Sequence, residues 1–181
     1  MLHLLEAPVN LTSEEKDEID NTLLEGDFPW FFSKYMIKEE DDQMYFFHYL
    51  YLRNDKNPTI ESPPNSKYSL FYRNIFDRFC LENDIKVNVI RRGCLNLSLY
   101  TGYKESTIHL DHPEAPHNNF IMYLSDSPDY GTLIYDEDKK TVLHQSKGIK
   151  YNAVVFNGYY HSGIIPTVPN HARLVCVFTF N

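Results

Sequence analysis

The stretch LNLSLYTGYKESTIHLD, residues 95–111, begins with a strict alternation of apolar and polar side chains. Its first six residues are Leu95, Asn96, Leu97, Ser98, Leu99 and Tyr100. Alternate residues of a strand point to opposite faces of the sheet, so this pattern is typical of a strand with one apolar face. We expect the leucines to pack beneath helices and the polar side chains to face a cavity.

The same stretch ends in two side chains that can bind a metal ion. In TIHLD, residues 107–111, His109 and Asp111 are two positions apart, so in a strand both would leave the same face and reach one ion. A second strand ending in VVFNGYYHSG, residues 154–163, would supply His161. Two histidines and one carboxylate on one side of Fe(II) leave the opposite positions open. The alternative is that these are core histidines with satisfied hydrogen bonds.

Length and composition narrow the class of protein. The chain has 181 residues, enough for one domain with its own core, and we treat residues 1–181 as a single domain. Its 12 Phe and 14 Tyr favour half-buried sheet surfaces over helix interiors. We therefore expect a mostly β (α+β) protein.

Charge, cysteine usage and hydropathy indicate the partners and the compartment. The formal net charge of -8 disfavours binding to nucleic acid. Cys80, Cys94 and Cys176 are odd in number and widely spaced, as expected of free thiols in a reducing compartment. No leader pattern and no run approaching about 20 apolar residues is present, so we expect a soluble, cytoplasmic protein with no membrane partner.

The first half of the chain, residues 1–86, is interpreted as a helical and aromatic wrapping layer. Thr12 and Glu15 form a capping box that predicts the start of a helix. FPWFF and MYFFHYLYL, residues 28–32 and 44–52, are compatible with strands, and residues 54–67 have the composition of a surface loop. A second helix is predicted over 68–82 from a stripe of apolar positions: Leu70, Phe71, Ile75, Phe79 and Leu81.

The second half, residues 87–181, is predicted to be a succession of short strands. They fall near residues 87–92, 94–101, 107–111, 120–125, 131–136, 140–145, 150–157, 161–165 and 173–180. Strands at this spacing indicate a double-stranded β-helix, that is, a jelly roll of the cupin type. We expect the N-terminal helices to pack on its major sheet.

Five segments of this half give the chain a family resemblance. They are LYTGYKESTIHLD, NFIMYLSD, GTLIYDED, AVVFNGYYHSG and ARLVCVFTFN, in that order. Together they resemble the Fe(II)/2-oxoglutarate-dependent dioxygenases, and within them the prolyl-4-hydroxylase-like group. The N-terminal pieces FPWFF and FFHYLY look like those of short oxygenases from phage genomes.

The resemblance implies a role for six side chains. It makes His109, Asp111 and His161 the metal ligands. Arg173 matches the position that pairs with the distal carboxylate of 2-oxoglutarate, and the planar guanidinium suits a carboxylate bidentately. The remaining cofactor-binding positions implied are Tyr123 and Tyr100. Asn96 is a further cofactor-binding candidate because it shares the polar face of its strand with Tyr100.

The implied activity is a hydroxylation. Fe(II) and 2-oxoglutarate would be the cofactor and co-substrate, with dioxygen and an unidentified protein or small molecule as the other reactants. The C–H bond oxidised could belong to a peptidyl proline, an amino acid or another small molecule. The alternative is a non-catalytic jelly-roll module that binds a metal or a ligand.

Overall fold

The computed structural model describes residues 3–23, 27–37, 41, 43–53, 60–61, 63–125 and 129–181. These residues form ten strands and two helices. In chain order they are β1 Leu4–Pro8, α1 Ser13–Leu23, β2 Phe31–Ser33, β3 Tyr45–Tyr51, α2 Ser69–Glu82, β4 Ile90–Leu99, β5 Asn118–Tyr123, β6 Thr132–Tyr135, β7 Val142–Gln145, β8 Asn152–Asn157, β9 Tyr160–Gly163 and β10 Ala172–Phe180. No helix within these ranges is long and apolar enough to span a membrane.

Two antiparallel sheets make up the body of the molecule. The major sheet has seven strands in the order β1-β8-β5-β10-β4-β3-β2, and the minor sheet has three in the order β7-β6-β9. One apolar cluster joins the major sheet to Ile134 of the minor sheet. A second cluster lies on the other face of the major sheet, against both helices. The predicted mostly β jelly roll with helices on its major sheet is confirmed.

The first helix begins as predicted. The backbone N–H of Glu15 donates to Thr12 Oγ1 at 3.2 Å, and the N–H of Thr12 donates to Glu15 Oε2 at 2.9 Å. This reciprocal pair is a capping box, which satisfies backbone donors that the first turn leaves unpaired. Ile19 and Leu23 of α1 are buried in the core beneath it.

The second helix has the predicted extent but buries a different stripe. Its buried residues are Ser69, Tyr72, Ile75, Phe76, Phe79 and Cys80. Leu70 and Leu81 are 62% and 80% exposed, so the predicted stripe was wrong at both positions. Phe76, which lies 4.8 Å from Phe178 between ring centroids, is the centre of the buried face. At 3.6 residues per turn, Leu70 and Leu81 project about 120–140° around the axis from Phe76.

The predicted strands 87–92 and 94–101 form one strand, β4. Gly93 lies within this strand and pairs with Phe178, and a Cβ atom there would meet Phe178 Cε1 at 2.7 Å. The glycine allows β4 to pass beneath this ring without a break. The expected alternation is present: Leu95 is fully buried on the helix side, whereas Asn96 and Ser98 line a cavity on the other side. On the leucine face, burial decreases towards the end of the strand: Leu97 is half-buried and Leu99 is exposed.

The N-terminal half is more than a wrapping layer. It contributes β1, β2 and β3 to the major sheet, and the first of these was missed by the sequence analysis. Leu4 pairs with Phe156 and Pro8 with Asn152, so β1 closes the edge of the sheet beside β8. The predicted loop 54–67 is without helix or extended strand where it is described, and residues 54–59 and 62 lie outside the described residues.

Candidate metal centre

The structure brings the three predicted metal ligands together. The backbones of His109 and His161 exchange two hydrogen bonds, of 3.0 and 2.9 Å, as an isolated antiparallel bridge. Nε2 of His161 lies 3.4 Å from Asp111 Oδ2, and Nε2 of His109 lies 4.0 Å from Asp111 Oδ1. The ligand atoms all lie within 4.8 Å of one another. The predicted strand 107–111 was wrong, because this single bridge positions His109 without a regular strand.

Backbone carbonyls fix which nitrogen of each imidazole faces the site. Nδ1 of His109 donates to the carbonyl of Thr107 at 3.0 Å, and Nδ1 of His161 donates to that of Tyr159 at 3.1 Å. With the proton on Nδ1, the lone pair of each Nε2 faces Asp111. Hydrogen bonds of this kind orient histidines that bind metals and raise their basicity.

The electrostatics of the three side chains also suit a cation. Burial alone would raise the pKa of Asp111, but His161, His109 and Arg92 together hold that pKa well below its usual range. Burial and the neighbouring His109 lower the pKa of His161 to about 4. At neutral pH the site therefore offers a carboxylate and the neutral imidazole of His161. Two imidazole nitrogens and one carboxylate oxygen beside a cavity are a donor set that would fit Fe(II).

Two arginines hold Asp111 from outside the triad. Arg92 Nη1 lies 3.3 Å from Asp111 Oδ1, and Arg53 Nη1 donates to the backbone carbonyl of Asp111 at 2.7 Å. Arg53 also pairs with Glu114 at 3.1 Å. These contacts fix the carboxylate in a segment that has no regular secondary structure.

The triad opens into a cavity of about 260 Å³ that also contains Arg173. Arg173 is 8% exposed; its Nε donates to the carbonyl of Tyr130 at 2.9 Å, and Nη2 donates to Thr132 Oγ1 at 3.1 Å. Among the residues that the structure describes, no acidic side chain pairs with this guanidinium, and burial lowers its pKa. A buried cation held by neutral oxygens is suited to binding an anionic ligand.

The other three predicted cofactor-binding residues differ in whether they line the cavity. Asn96 lines it, and its buried Oδ1 has no hydrogen-bond partner among the described residues. Tyr123 is buried beneath Arg173, whose guanidinium carbon is 5.8 Å from the ring, and its hydroxyl bonds to Thr132 and Ser146. Tyr100 does not join the site: it follows the end of β4 and is 49% exposed.

The sequence analysis missed three residues that shape the cavity. Thr132 positions Arg173, and Arg92 lies beside the triad. Gly163 follows the bridge residue His161 by two positions, and a Cβ on it would lie 3.0 Å from Arg173 Cζ. The alternation of β4 continues through Cys94 to Arg92, which was the available signal for placing Arg92 on the cavity face.

Comparisons of the fold give a consistent set of neighbours at low sequence identity. A 2OG-Fe(II) oxygenase family oxidoreductase from Burkholderia pseudomallei matches with a TM-score of 0.72 and 15% identity, over 99% of this chain and 84% of that one. A Pseudomonas putida prolyl-4-hydroxylase matches with a TM-score of 0.61 and 13% identity, over 98% and 92%. HygX from Streptomyces hygroscopicus, solved with nickel and 2-oxoglutarate bound, matches with a TM-score of 0.59 and 11% identity, over 98% and 82%.

Comparisons of the amino-acid sequence find no such relatives. No protein-family model matches it, and no curated protein sequence is significantly similar. The chain therefore has the jelly-roll fold of the 2-oxoglutarate-Fe(II) oxygenases, and its function has to be argued from the site.

Proposed function

We propose that this protein is an Fe(II)- and 2-oxoglutarate-dependent dioxygenase. The observation that carries the proposal is the pairing of two sites in one cavity: a triad suited to Fe(II) and a buried guanidinium without an acidic partner among the described residues. A dicarboxylate with a keto group satisfies both, since one end binds the metal and the other carries a carboxylate for Arg173.

The side chains of the cavity have separate tasks in this proposal. His109, Asp111 and His161 hold the metal through two Nε2 atoms and a carboxylate. Arg173 binds the distal carboxylate of 2-oxoglutarate, and Thr132 fixes the guanidinium through its hydroxyl. When bound, Fe(II) with 2-oxoglutarate supplies the oxidising chemistry that couples decarboxylation to the transfer of one oxygen atom from dioxygen.

We propose roles for two of the other three candidates, Asn96 and Tyr123, and none for Tyr100. Asn96 faces the cavity with an unpaired amide oxygen, so we propose that it contacts the co-substrate or the substrate. The hydroxyl of Tyr123 is already bonded to Thr132 and Ser146, so we propose that it supports Arg173 from beneath. The exposure of Tyr100 excludes it from our proposed contacts.

The reaction proposed is hydroxylation of an unactivated C–H bond, with release of succinate and carbon dioxide. The substrate would be a prolyl or other amino-acid residue, or a small molecule. One of the structural neighbours is a prolyl-4-hydroxylase, which supports the first possibility. The three buried free cysteines are compatible with a reducing compartment, and we propose that the reaction takes place in the cytoplasm.

The direct test is formation of succinate from 2-oxoglutarate by the Fe(II)-loaded protein in air. The proposal predicts slow succinate formation without substrate, and faster formation with a host extract in which some peptide or metabolite gains one oxygen atom. His161→Ala should abolish both. His144→Ala is the matched control, because His144 pairs with Glu6 outside the cavity.

A non-catalytic binding module makes a different prediction for the same assay. It would bind 2-oxoglutarate in the presence of metal and form no succinate under any condition. That outcome, with intact metal binding by the wild type, would replace the proposed oxygenase by the alternative.

A further inference from the structure

The chain changes register beside β9 just before it reaches the metal centre. Glu105 pairs with Ile164, and further along the segment His109 pairs with His161, both in antiparallel bridges. From the first pair to the second, the segment advances by four residues, from 105 to 109, while the facing chain moves by three, from 164 to 161. The segment therefore contains one extra residue, which is a β-bulge.

The bulge decides which side chain lies opposite His161. In an unbroken antiparallel ladder that continued from the pair Glu105–Ile164, that residue would be Ile108. A shift of one residue exchanges the side chains that point to a given face. Because of the extra residue, His109 takes this position, and the centroids of the two imidazole rings lie 4.3 Å apart. The bulged register thus puts a metal ligand where an isoleucine would otherwise lie.

The ladder is interrupted at Ser106, where the bulge begins. The N–H of Ser106 donates to the carbonyl of Gly163 at 2.8 Å. In a regular hydrogen-bonded pair the N–H of Gly163 would donate back to the carbonyl of Ser106. It donates instead to Oγ of Ser106, also at 2.8 Å. The backbone after Ser106 therefore leaves the ladder and needs other hydrogen-bond partners.

Gln43 supplies such partners through its side chain. Its Nε2 donates to the carbonyl of Glu105 at 3.1 Å, and its Oε1 accepts from the N–H of Thr107 at 2.9 Å. One carboxamide thereby bonds to two backbone groups of the segment, as a neighbouring strand would. Gln43 is 6% exposed, so water cannot readily replace either bond.

The contacts of Gln43 lead directly to the imidazole of His109. Gln43 holds the N–H of Thr107, and the carbonyl of Thr107 accepts a hydrogen bond from Nδ1 of His109 at 3.0 Å. That bond leaves Nε2 of His109 to face Asp111. The carboxamide therefore supports both the register of the backbone and the orientation of the ring.

We infer that Gln43 is a positioning residue of the metal centre, because its carboxamide stabilises the bulge that places His109 opposite His161. This inference rests on the proposed function, since it takes the triad to bind a metal. It adds a residue from the half of the chain that carries none of the three ligands. Without the carboxamide the segment loses part of its preference for the bulged register, and the two histidines face each other in a smaller fraction of molecules.

The test replaces the carboxamide by a side chain of similar length that donates no hydrogen bond and accepts only weakly. The variants are Gln43→Met and Gln43→Glu, and the matched control is Gln145→Met at an exposed position of β7. Calorimetry measures the affinity for Co(II), and the visible absorption of bound Co(II) reports on its ligands and geometry. In the metal-free proteins, NMR measures the nuclear Overhauser effect between the ring protons of His109 and His161.

Gln43→Met is expected to bind Co(II) about tenfold more weakly, as is typical when a partner outside the ligand set is lost. Its Co(II) spectrum should change, and the ring-to-ring Overhauser effect should weaken. Gln43→Glu keeps an acceptor for the N–H of Thr107 and should lie between Gln43→Met and the wild type. Gln145→Met should match the wild type in all three measurements. A merely structural role of Gln43 would lower the melting temperature and leave the Co(II) affinity and spectrum of the folded protein unchanged.

The inference is overturned by a wild-type Co(II) affinity in Gln43→Met, or by an unchanged Overhauser effect between the two rings. Failure of the proposed function is seen separately, because the wild type would then bind no Co(II), and the Overhauser effect of the metal-free proteins would decide the inference alone. If Gln43→Met does not fold, as judged by its thermal melt, Gln43→Glu takes its place, and wild-type values in that variant would overturn the inference.

Discussion

Arg173 depends on neighbours that leave its guanidinium free to bind a carboxylate. Thr132 and the carbonyl of Tyr130 hold it by hydrogen bonds, and Gly163 leaves room beside it. A lysine at this position keeps the charge but loses the planar fork that binds both carboxylate oxygens. If the proposed function is correct, the geometry of this one side chain determines the affinity for 2-oxoglutarate.

Replacing Arg173 is expected to affect 2-oxoglutarate far more than metal. Arg173→Lys should raise the KM for 2-oxoglutarate about tenfold, because one charge-assisted hydrogen bond is lost. Arg173→Ala should raise it further, since truncating one partner of a buried charge pair costs ~2–5 kcal/mol. Steady-state kinetics with a parallel Fe(II) titration measures both. An unchanged KM in Arg173→Ala would move the anchor to another residue.

Gly163→Ala tests the space around the guanidinium. The added methyl would lie 3.0 Å from both Cζ and Nη1 of Arg173, closer than ordinary contact, so the guanidinium must shift. We expect a severalfold weaker affinity for 2-oxoglutarate with metal binding retained, as measured by calorimetry of the Co(II)-loaded protein. Equal affinity in the variant and the wild type would show that the guanidinium adapts without cost.

Single residues were predictable from the sequence where their chemistry is distinctive. His109, Asp111, His161 and Arg173 could be chosen as candidates because few residue types bind a metal or a carboxylate, and the structure places all four at one cavity. Tyr100 was misplaced because the alternation of β4 gives a face and does not show where the strand ends. Arg92 was missed because residues 87–92 and 94–101 were predicted as two separate strands, so the alternation was not followed back to Arg92.

Strand β4 joins the core to the site, since its two faces have different tasks. Leu95 contacts the helix side and is fully buried, whereas the same face becomes exposed at Leu99. Asn96 and Ser98 line the cavity on the opposite face. Substitutions on the leucine face should therefore change stability without changing the site.

The contribution of the β4 leucines to the free energy of unfolding should decrease from Leu95 to Leu99. Leu95→Ala should lower the free energy of unfolding by ~2–5 kcal/mol, because it leaves a cavity in the core. Leu97→Ala should cost less, since its side chain is half-buried, and Leu99→Ala should change stability by under about 0.5 kcal/mol. Urea unfolding of the three variants measures the order. Equal losses at Leu95 and Leu99 would contradict the assigned faces.

The elements that the sequence predicted poorly are those set by tertiary contacts. The segment 107–111 is held by one bridge between His109 and His161, which no local periodicity reveals. Residues Leu4–Pro8 became β1 because the edge of β8 was available to pair with them. The apolar stripe of α2 was misassigned because Leu70 and Leu81 look like core residues in sequence but project away from the sheet.

In the whole molecule, the jelly roll places the three candidate metal ligands and Arg173 around one cavity. The bridge beside β9 brings His161 to His109, and β10 carries Arg173 into the same cavity. The overall architecture was predictable because strands at regular spacing and two helical segments leave few arrangements that bury both apolar faces. The pairing of strands across the sheets required the structure.

Stability of the metal-free protein should depend on pH through three buried histidines. Burial lowers the pKa of His112 and of His161 to about 4, and burial also lowers the pKa of His117. In the unfolded chain all three titrate near ~6.5. Between about pH 6.5 and 4 the unfolded chain binds protons that the folded protein does not, so the free energy of unfolding falls as pH falls.

Urea unfolding in the presence of a chelator, from pH 7.5 to 4.5, measures this dependence. Each buried histidine contributes a slope of up to ~1.4 kcal/mol per pH unit in that window and none above it. His117→Asn should reduce the slope. A free energy of unfolding that stays constant from pH 6.5 to 4.5 would show that these histidines are protonated without cost in the folded state.

The most direct test of the account is anaerobic calorimetry of 2-oxoglutarate binding with and without Fe(II). The wild type should bind 2-oxoglutarate tightly only when Fe(II) is present, because the metal held by His109, Asp111 and His161 and the guanidinium of Arg173 are both needed. His161→Ala should lose this metal-dependent binding, and His144→Ala should keep it. Metal-loaded wild type that does not bind 2-oxoglutarate, or His161→Ala that binds it as tightly as wild type, would contradict the account.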